Sequence, residues 1–442
     1  MRQKLMILVS LLTVFALTFG GCAPVQTGGA AAPSGEQAAA PVTVKLWMHN
    51  HPPRLPLDEA ILAQFQKDNP NIKVESTVIP DQEWDTKLAT ALASGSGPDL
   101  FNQATFAIGE FQKQGILAPI DAKAAGYADQ AAVYNAYESG NALLAGATFD
   151  DMLYGLPTEL SAYACYTNDD LWKAAGLDPA KDFPKTWEAL KDVAEKLTVR
   201  DANGAITQRG FDFKWDAGIF MLLIFNAMVQ QLGGNMIDET TYTAHINTPE
   251  VKQVMQYYYD WVNTWKLGGP QYTSNRADFL AGKLATDCDF GNWGAPQMVD
   301  AKINFSIHKQ PRFANAKNDN GMANYAYFFM VNSGAAPEVQ QAAWKLASAL
   351  TSQPGEYLDK AGLFQAKADF VASDAFKNNK IMPVFLEEMG LSTYHPRIAG
   401  FFEVADALMR ARDRVLNGEN MDTVLAEAET EVNDILAKAK PQ

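Results

Sequence analysis

VTVKLWMHNHPPRLPLDEAILAQFQKDNPNIKVESTVIPDQEWDTKLATALASGSGPDLF, residues 42–101, decides the fold. Val42 to Met48 alternates apolar and polar side chains, the period of a half-buried strand. Leu57, Ile61, Leu62 and Phe65 then share one helical face, which Asn69-Pro70 brings to an end. Ile72 to Ile79 alternates again, and Trp84, Leu88, Ala91 and Leu92 mark a second helix. Ser94-Gly95-Ser96-Gly97-Pro98 turns the chain into a short strand at Asp99-Leu100-Phe101. The pattern is β-α-β-α-β, and right-handed crossovers place the three strands in one sheet.

The same alternation continues downstream and predicts an α/β chain with mixed, mostly parallel sheets. Leu190, Val193, Ala194 and Leu197 share a helical face behind Thr186 as N-cap. Val251, Val254, Met255, Tyr258, Val262 and Trp265 form a stripe opened by Thr248-Pro249 and closed by Gly268-Gly269. Val339 to Leu350 predicts another helix. A terminal pair carries Phe401, Val404, Leu408, Ala411 and Val415, then Val424, Leu425, Ala428, Val432, Ile435 and Leu436. No repeat of 20–50 residues is visible, which excludes solenoids and propellers.

The first residues read as an export signal: Arg2 and Lys4, an apolar run from Leu5 to Phe19, then Gly20-Gly21. The run falls short of the ~20 residues that span a bilayer as a helix. Phe19-Gly20-Gly21-Cys22 resembles the lipobox of bacterial lipoproteins, with Phe19 where an aliphatic residue is usual. That resemblance implies a signal peptide over 1–21 and lipidation of Cys22. Two or three acyl chains there give a stable anchor to the cell membrane. Residues 22–41 are small and polar and read as a flexible tether. The folded body is therefore extracytoplasmic and starts at Val42.

About 400 residues remain, a length for two domains. The net charge of −15 argues against nucleic acid and anionic membrane faces as partners. Of the three cysteines, Cys165 and Cys288 both lie in strand-like segments; a disulfide is open to them, with two buried thiols the favoured reading.

Catalytic signatures are missing: no His-Glu-x-x-His, no Gly-x-Ser-x-Gly, no Gly-rich phosphate loop. The turns at Asp201-Ala202-Asn203-Gly204 and Asn318-Asp319-Asn320-Gly321 each lack the acidic residue at the first ligand position of a calcium loop and read as ordinary turns. His49-Asn50-His51 follows a strand without an evident third metal ligand, so polar ligand contact is the better reading. No metal and no cofactor are expected. Trp47, Trp172, Trp187, Trp261, Trp265 and Trp344 fall in strands or helices and are assigned to the core. Trp215 and Trp293 sit where strands give way to loops, the place where ligands bind in open α/β sheets. An indole there stacks on the C–H face of a sugar while neighbouring polar groups hydrogen-bond its hydroxyls.

Several segments, in order, carry a family resemblance. Leu57–Pro70 (LDEAILAQFQKDNP) and Trp84–Leu100 (WDTKLATALASGSGPDL) look like the N-terminal lobe of group 1 extracellular solute-binding proteins, the maltose-binding-protein-like family. Tyr154-Gly155-Leu156-Pro157, running to Tyr166–Trp172, resembles the first interlobe crossover. Leu177-Asp178-Pro179 with Pro184–Leu190, and Phe279–Trp293 (FLAGKLATDCDFGNW), match later segments. Thr286-Asp287-Cys288 and the apolar run Ile219–Val229 depart from the pattern.

The resemblance implies a type II periplasmic-binding-protein-like clamshell with three hinge crossings. Lobe 1 is expected over 42–157 plus 311–355, and lobe 2 over 158–310 plus 356–442. The implied ligand contacts are His49, His51, Asn102, Gln103, Glu159, Ser161, Tyr163, Trp215, Trp293, Gly294 and Arg397. The implied function is capture of a mono- or oligosaccharide and its delivery to the permease of an ABC importer by a monomer without catalysis. Alternatives are a binding protein for a non-sugar solute (polyol, glycerophosphodiester or peptide) and a sugar sensor. An extracellular glycan hydrolase would need paired carboxylates, for which Glu159, Asp287 and Asp289 are the candidates.

Overall fold

The computed structural model describes residues 41–440. The signal peptide, Cys22 and the tether up to residue 40 lie outside the described residues. β1 (Val42–His49) buries Val44, Leu46 and Met48 in alternation, as its pattern predicts. The helix Leu55–Asp68 opens with Pro56 in its first turn, where a missing N–H leaves no bond unmade. It closes at Asn69, whose backbone N–H and side-chain amide both donate to the Phe65 carbonyl. β2 (Ile72–Ile79), the helix Asp81–Ala93 and β3 (Leu100–Ala104) complete the β-α-β-α-β unit.

Seven further strands build the two sheets. They are β4 (Leu156–Ser161), β5 (Tyr163–Asn168), β6 (Val199–Arg200), β7 (Ile206–Phe211), β8 (Leu284–Gly291), β9 (Phe305–His308) and β10 (Tyr325–Val331). The first sheet has the order β2-β1-β3-β10-β4 and the second β9-β5-β8-β7-β6. Both are mixed, but the mostly parallel expectation is corrected. Only β1–β2, β1–β3 and β7–β8 pair in parallel, while β3–β10, β10–β4, β5–β8, β5–β9 and β6–β7 are antiparallel. The βαβ units account for the parallel part. The antiparallel part arises where the chain switches sheets and returns, which local periodicity does not reveal. Ser161 ends β4 in the first sheet and Tyr163 begins β5 in the second, so Ala162 alone bridges them. The chain passes back between His308 and Tyr325. It leaves the first sheet again after Phe364, whose carbonyl accepts from Leu160, and reaches the second core at Ile398 and Phe401.

One core fills the first sheet and continues onto Tyr166 and Phe290 of the second and onto Phe279 of the helix Asn275–Leu280; the other packs the helices Pro249–Tyr259 and Phe401–Leu416 with Trp187 and Phe213. Trp172, Trp187, Trp261 and Trp344 are fully buried, in keeping with their assignment to the core. Thr186 and Thr248 cap their helices by accepting from Ala189 and Val251. The stripe behind Thr248 is α-helical to Tyr259 and continues as a π-helical turn, Asp260–Thr264. The run Ile219–Val229 likewise contains a π-helical turn, Met221–Phe225, buried throughout.

Cys165 and Cys288 are joined by a disulfide, against the favoured reading of two thiols. The antiparallel register of β5 on β8 sets Thr167 opposite Thr286 and Ala164 opposite Phe290, which brings the two cysteines side by side. That register depends on partners 123 residues apart and is invisible in either strand alone. No helix among the described residues is long and apolar enough to cross a membrane. From Pro41 onward the chain forms one compact unit.

Candidate functional site

The first part of the site lies at the C-terminal ends of β1 and β3. Asn102 accepts from the His49 backbone N–H at 3.0 Å through Oδ1, and its Nδ2 lies 2.7 Å from His49 Nδ1. The imidazole of His49 stacks on Tyr327 with ring centroids 4.2 Å apart. Arg54, fully buried, donates to the His49 carbonyl and pairs with Asp58 at 2.8 Å. Burial, then the charge of Arg54, then His51 hold the His49 pKa well below its usual value, while the Asn102 bond pulls it up. His51, whose Nε2 lies 3.0 Å from the Ala361 carbonyl, is pushed down to about 4, burial again leading. Both rings are neutral at pH 7. Among the described residues no three His, Cys, Asp or Glu side chains gather to hold a metal.

Gln103 is oriented from three sides. Its Oε1 accepts from Trp84 Nε1 and from the Ala104 backbone, and its amide donates to Asp85 at 3.0 Å. Burial raises the Asp85 pKa, partly offset by that bond.

The second part is at the crossover. Ser161, the last residue of β4, donates to Asn292 Oδ1 at 2.8 Å, and Asn292 donates to the Gly362 carbonyl at 3.0 Å. Three separate segments are thereby tied at one point. Tyr163 packs against Tyr325 with centroids 5.3 Å apart. Trp293 donates through Nε1 to the Tyr325 hydroxyl, and the Arg276 guanidinium lies 4.7 Å from its ring. Arg276 is anchored by Asp289 at 2.8 Å. Asp287 is wholly buried, and its pKa is raised well above the usual carboxylate value, first by burial and then by the adjacent Asp289 charge. Glu159 faces Tyr327 across the β4–β10 ladder and is 4% exposed. Gly291 and Gly294 have steric roles. A Cβ on Gly291 would sit 2.4 Å from Trp293 Nε1, and one on Gly294 2.7 Å from the Phe290 ring.

A cavity of about 380 Å³ opens between the helix Asp81–Ala93, Gln103 of β3, the helix Thr105–Lys113 and the start of the helix Phe401–Leu416. Asp85, Gln103, Phe106 and Glu110 line it from the first sheet's side, and Phe402 and Glu403 from the other. Phe106 stacks on Phe401, centroids 6.0 Å apart, and meets Phe402 edge-on at 5.8 Å. Sequence reasoning found only Gln103 of these six. The overlooked signal was Phe402, a large apolar residue beside rather than on the stripe led by Phe401, and 39% exposed.

Of the expected ligand contacts, only Gln103 lines this cavity. Trp215 is 2% exposed inside the second core, where its Nε1 donates to Asp212 at 2.8 Å and Arg412 covers its ring at 5.4 Å. The buried carboxyl of Asp212 needs donors, and Trp215 supplies one. Arg397 points away from the cavity, pairing with Glu239 at 2.8 Å and donating to the carbonyls of Ala145 and Thr148.

Comparison with known proteins places this geometry. Residues 51–357 match the family described as bacterial extracellular solute-binding protein. A maltotriose-binding protein of Pyrococcus abyssi (strain GE5 / Orsay) is 24% identical over 321 residues, 70% of this chain but only 63% of that protein's own length. A solved ABC transporter solute-binding protein from Thermotoga lettingae TMO, bound with α-D-tagatose, superposes with a TM-score of 0.76. It is 22% identical and is covered entirely by 89% of this chain. The maltose/maltodextrin-binding domain from Bdellovibrio bacteriovorus, bound to maltotriose, gives 0.73 at 22% identity, with 90% and 100% of the two chains covered. These structures share the two-lobe type II fold. With two mixed sheets, repeated crossings between them and a family match across most of its length, the chain belongs to the bacterial extracellular solute-binding proteins.

Proposed function

We propose that the protein captures a carbohydrate between two lobes and delivers it to the permease of an ABC importer. The cavity shared by Gln103, Phe106 and Phe402 carries this reading: aromatic faces next to carboxylates and an amide are the groups that hold sugars. Relatives bound to tagatose and maltotriose support it. The lobes correspond to the two sheets, with hinges at Ala162, between His308 and Tyr325, and after Phe364. His51, Gln103, Glu159, Tyr163 and Trp293 serve the ligand, and His49, Asn102, Ser161 and Gly294 hold the backbone beneath them. Contacts to the ligand from both lobes stabilise the closed state, and that differential affinity drives closure. The protein acts as a monomer, tethered to the cell membrane by a lipidated Cys22.

The test is a thermal-shift screen of the compact unit from Pro41 against mono- and oligosaccharides, polyols and glycerol phosphates. A ligand at 100 times its Kd adds about 2.7 kcal/mol of stability. A shift with sugars that Phe402→Ala abolishes supports the reading. Shifts with phosphates alone refute the carbohydrate assignment.

A further inference from the structure

Trp293 differs from the tryptophans of the core. Trp172, Trp187, Trp261 and Trp344 are fully buried, whereas Trp293 is half-buried and leaves part of its indole open. Its edge is tied to the first sheet: Nε1 donates to the hydroxyl of Tyr325, where β10 begins. Burial raises the Tyr325 pKa well above its usual value, so the acceptor is a neutral phenol at pH 7. One face of the ring is covered from the second sheet's side. There the guanidinium of Arg276, on the helix Asn275–Leu280, lies 4.7 Å from the Trp293 ring centroid and 5.5 Å from that of Phe290.

Arg276 is held too firmly to be a passing neighbour. Its Nε donates to Asp289 Oδ1 at 2.8 Å and its Nη2 to the Asp289 carbonyl at 2.7 Å. Asp289 is 3% exposed within β8, so the anchor itself is buried in the sheet. A planar guanidinium gripped at two points keeps its plane, where a lysine ammonium would pivot about one. A ligand that reaches Trp293 therefore leaves Arg276 in place and meets the indole on the opposite face. Cation–π attraction and the Nε1 bond together fix the ring before anything binds, so stacking on it loses little side-chain entropy.

We propose, resting on the carbohydrate reading above, that Arg276 is a positioning residue: it holds Trp293 as a rigid, one-faced platform that selects ring-closed sugars over open-chain polyols. The flat C–H face of a pyranose is formed before binding. An alditol with similar hydroxyls matches a fixed plane only after its backbone torsions are frozen, and that ordering lowers affinity. A mobile indole adapts to either ligand, and the discrimination shrinks.

The experiment pairs titration calorimetry with fluorine NMR on the unit from Pro41, its tryptophans replaced by 5-fluorotryptophan. The probes are glucose and sorbitol, mannose and mannitol, maltose and maltitol, and lactose and lactitol. At least one sugar should bind about tenfold or more tighter than its alditol. The resonance that Trp293→Phe removes should be single and narrow in the free protein. Arg276→Lys and Arg276→Met should broaden or split it and reduce the sugar-to-alditol ratio about threefold or more. Equal binding of sugars and alditols by the wild type overturns the ring selection, whether or not either variant folds, while the carbohydrate reading stands. An unchanged resonance or an unchanged ratio in folded variants overturns the role of Arg276. Binding of alditols alone, or silence across the panel, overturns the carbohydrate reading and this proposal with it.

Discussion

Asp212 shows how one buried carboxyl organises its surroundings. It accepts from Trp215, Trp261 and the Gly269 backbone and pairs with Arg209 at 2.8 Å. Burial nevertheless wins, and its pKa rises from 3.8 to about 6, with Arg209 pulling the other way. The folded protein thus binds this proton more tightly than the unfolded chain. The resulting stability is fully present below pH 3.8 and is lost as pH rises to about 6. Wild-type urea midpoints, compared with those of Asp212→Asn from pH 4 to 7, should show a fall in the wild type that the variant lacks. Parallel pH profiles would refute the assignment. The same residue explains the setting of Trp215. A tryptophan after a strand looks like a ligand platform until the carboxylate three residues before it claims the indole N–H, and only the folded backbone shows that it does.

At the scale of elements, the disulfide between β5 and β8 closes the longest covalent loop in the body, 123 residues in sequence separation. Its loss should cost about 2–5 kcal/mol, most of it through a freer unfolded chain. Urea unfolding of Cys165→Ala/Cys288→Ala against the oxidised wild type measures this, and coincident curves would show the bond to be energetically idle. Helices and parallel strands were legible because each writes its own period: the stripes behind Thr186 and Thr248 and the alternation of β1 are local facts. Of the cavity's lining, only Gln103, near the end of β3, was foreseen, because it belongs to a strand that local alternation announces. Phe106 and Phe402 lie almost 300 residues apart, in the helices Thr105–Lys113 and Phe401–Leu416, and no local pattern announces that they share a cavity. The antiparallel insertion of β10 and the pairing of the cysteines were hidden for the same reason.

For the whole molecule, the place of β10 matters most. It lies between β3 and β4 and supplies the only partner β4 has in the sheet. Yet it is synthesised some 160 residues after β4, about 10–30 s later at ~5–20 residues per second. A growing chain therefore exposes a gapped half-sheet until Tyr325–Val331 emerges. A fragment ending at Ser161 should be cut by protease at rates typical of unfolded chain, whereas the full body resists; a protected fragment would show that the half-sheet closes unaided. For a chain whose N-terminus reads as an export signal, this delay has a use. A polypeptide that cannot finish folding before most of it has been made stays threadable, and the strand order itself keeps the passage through a narrow secretion channel open.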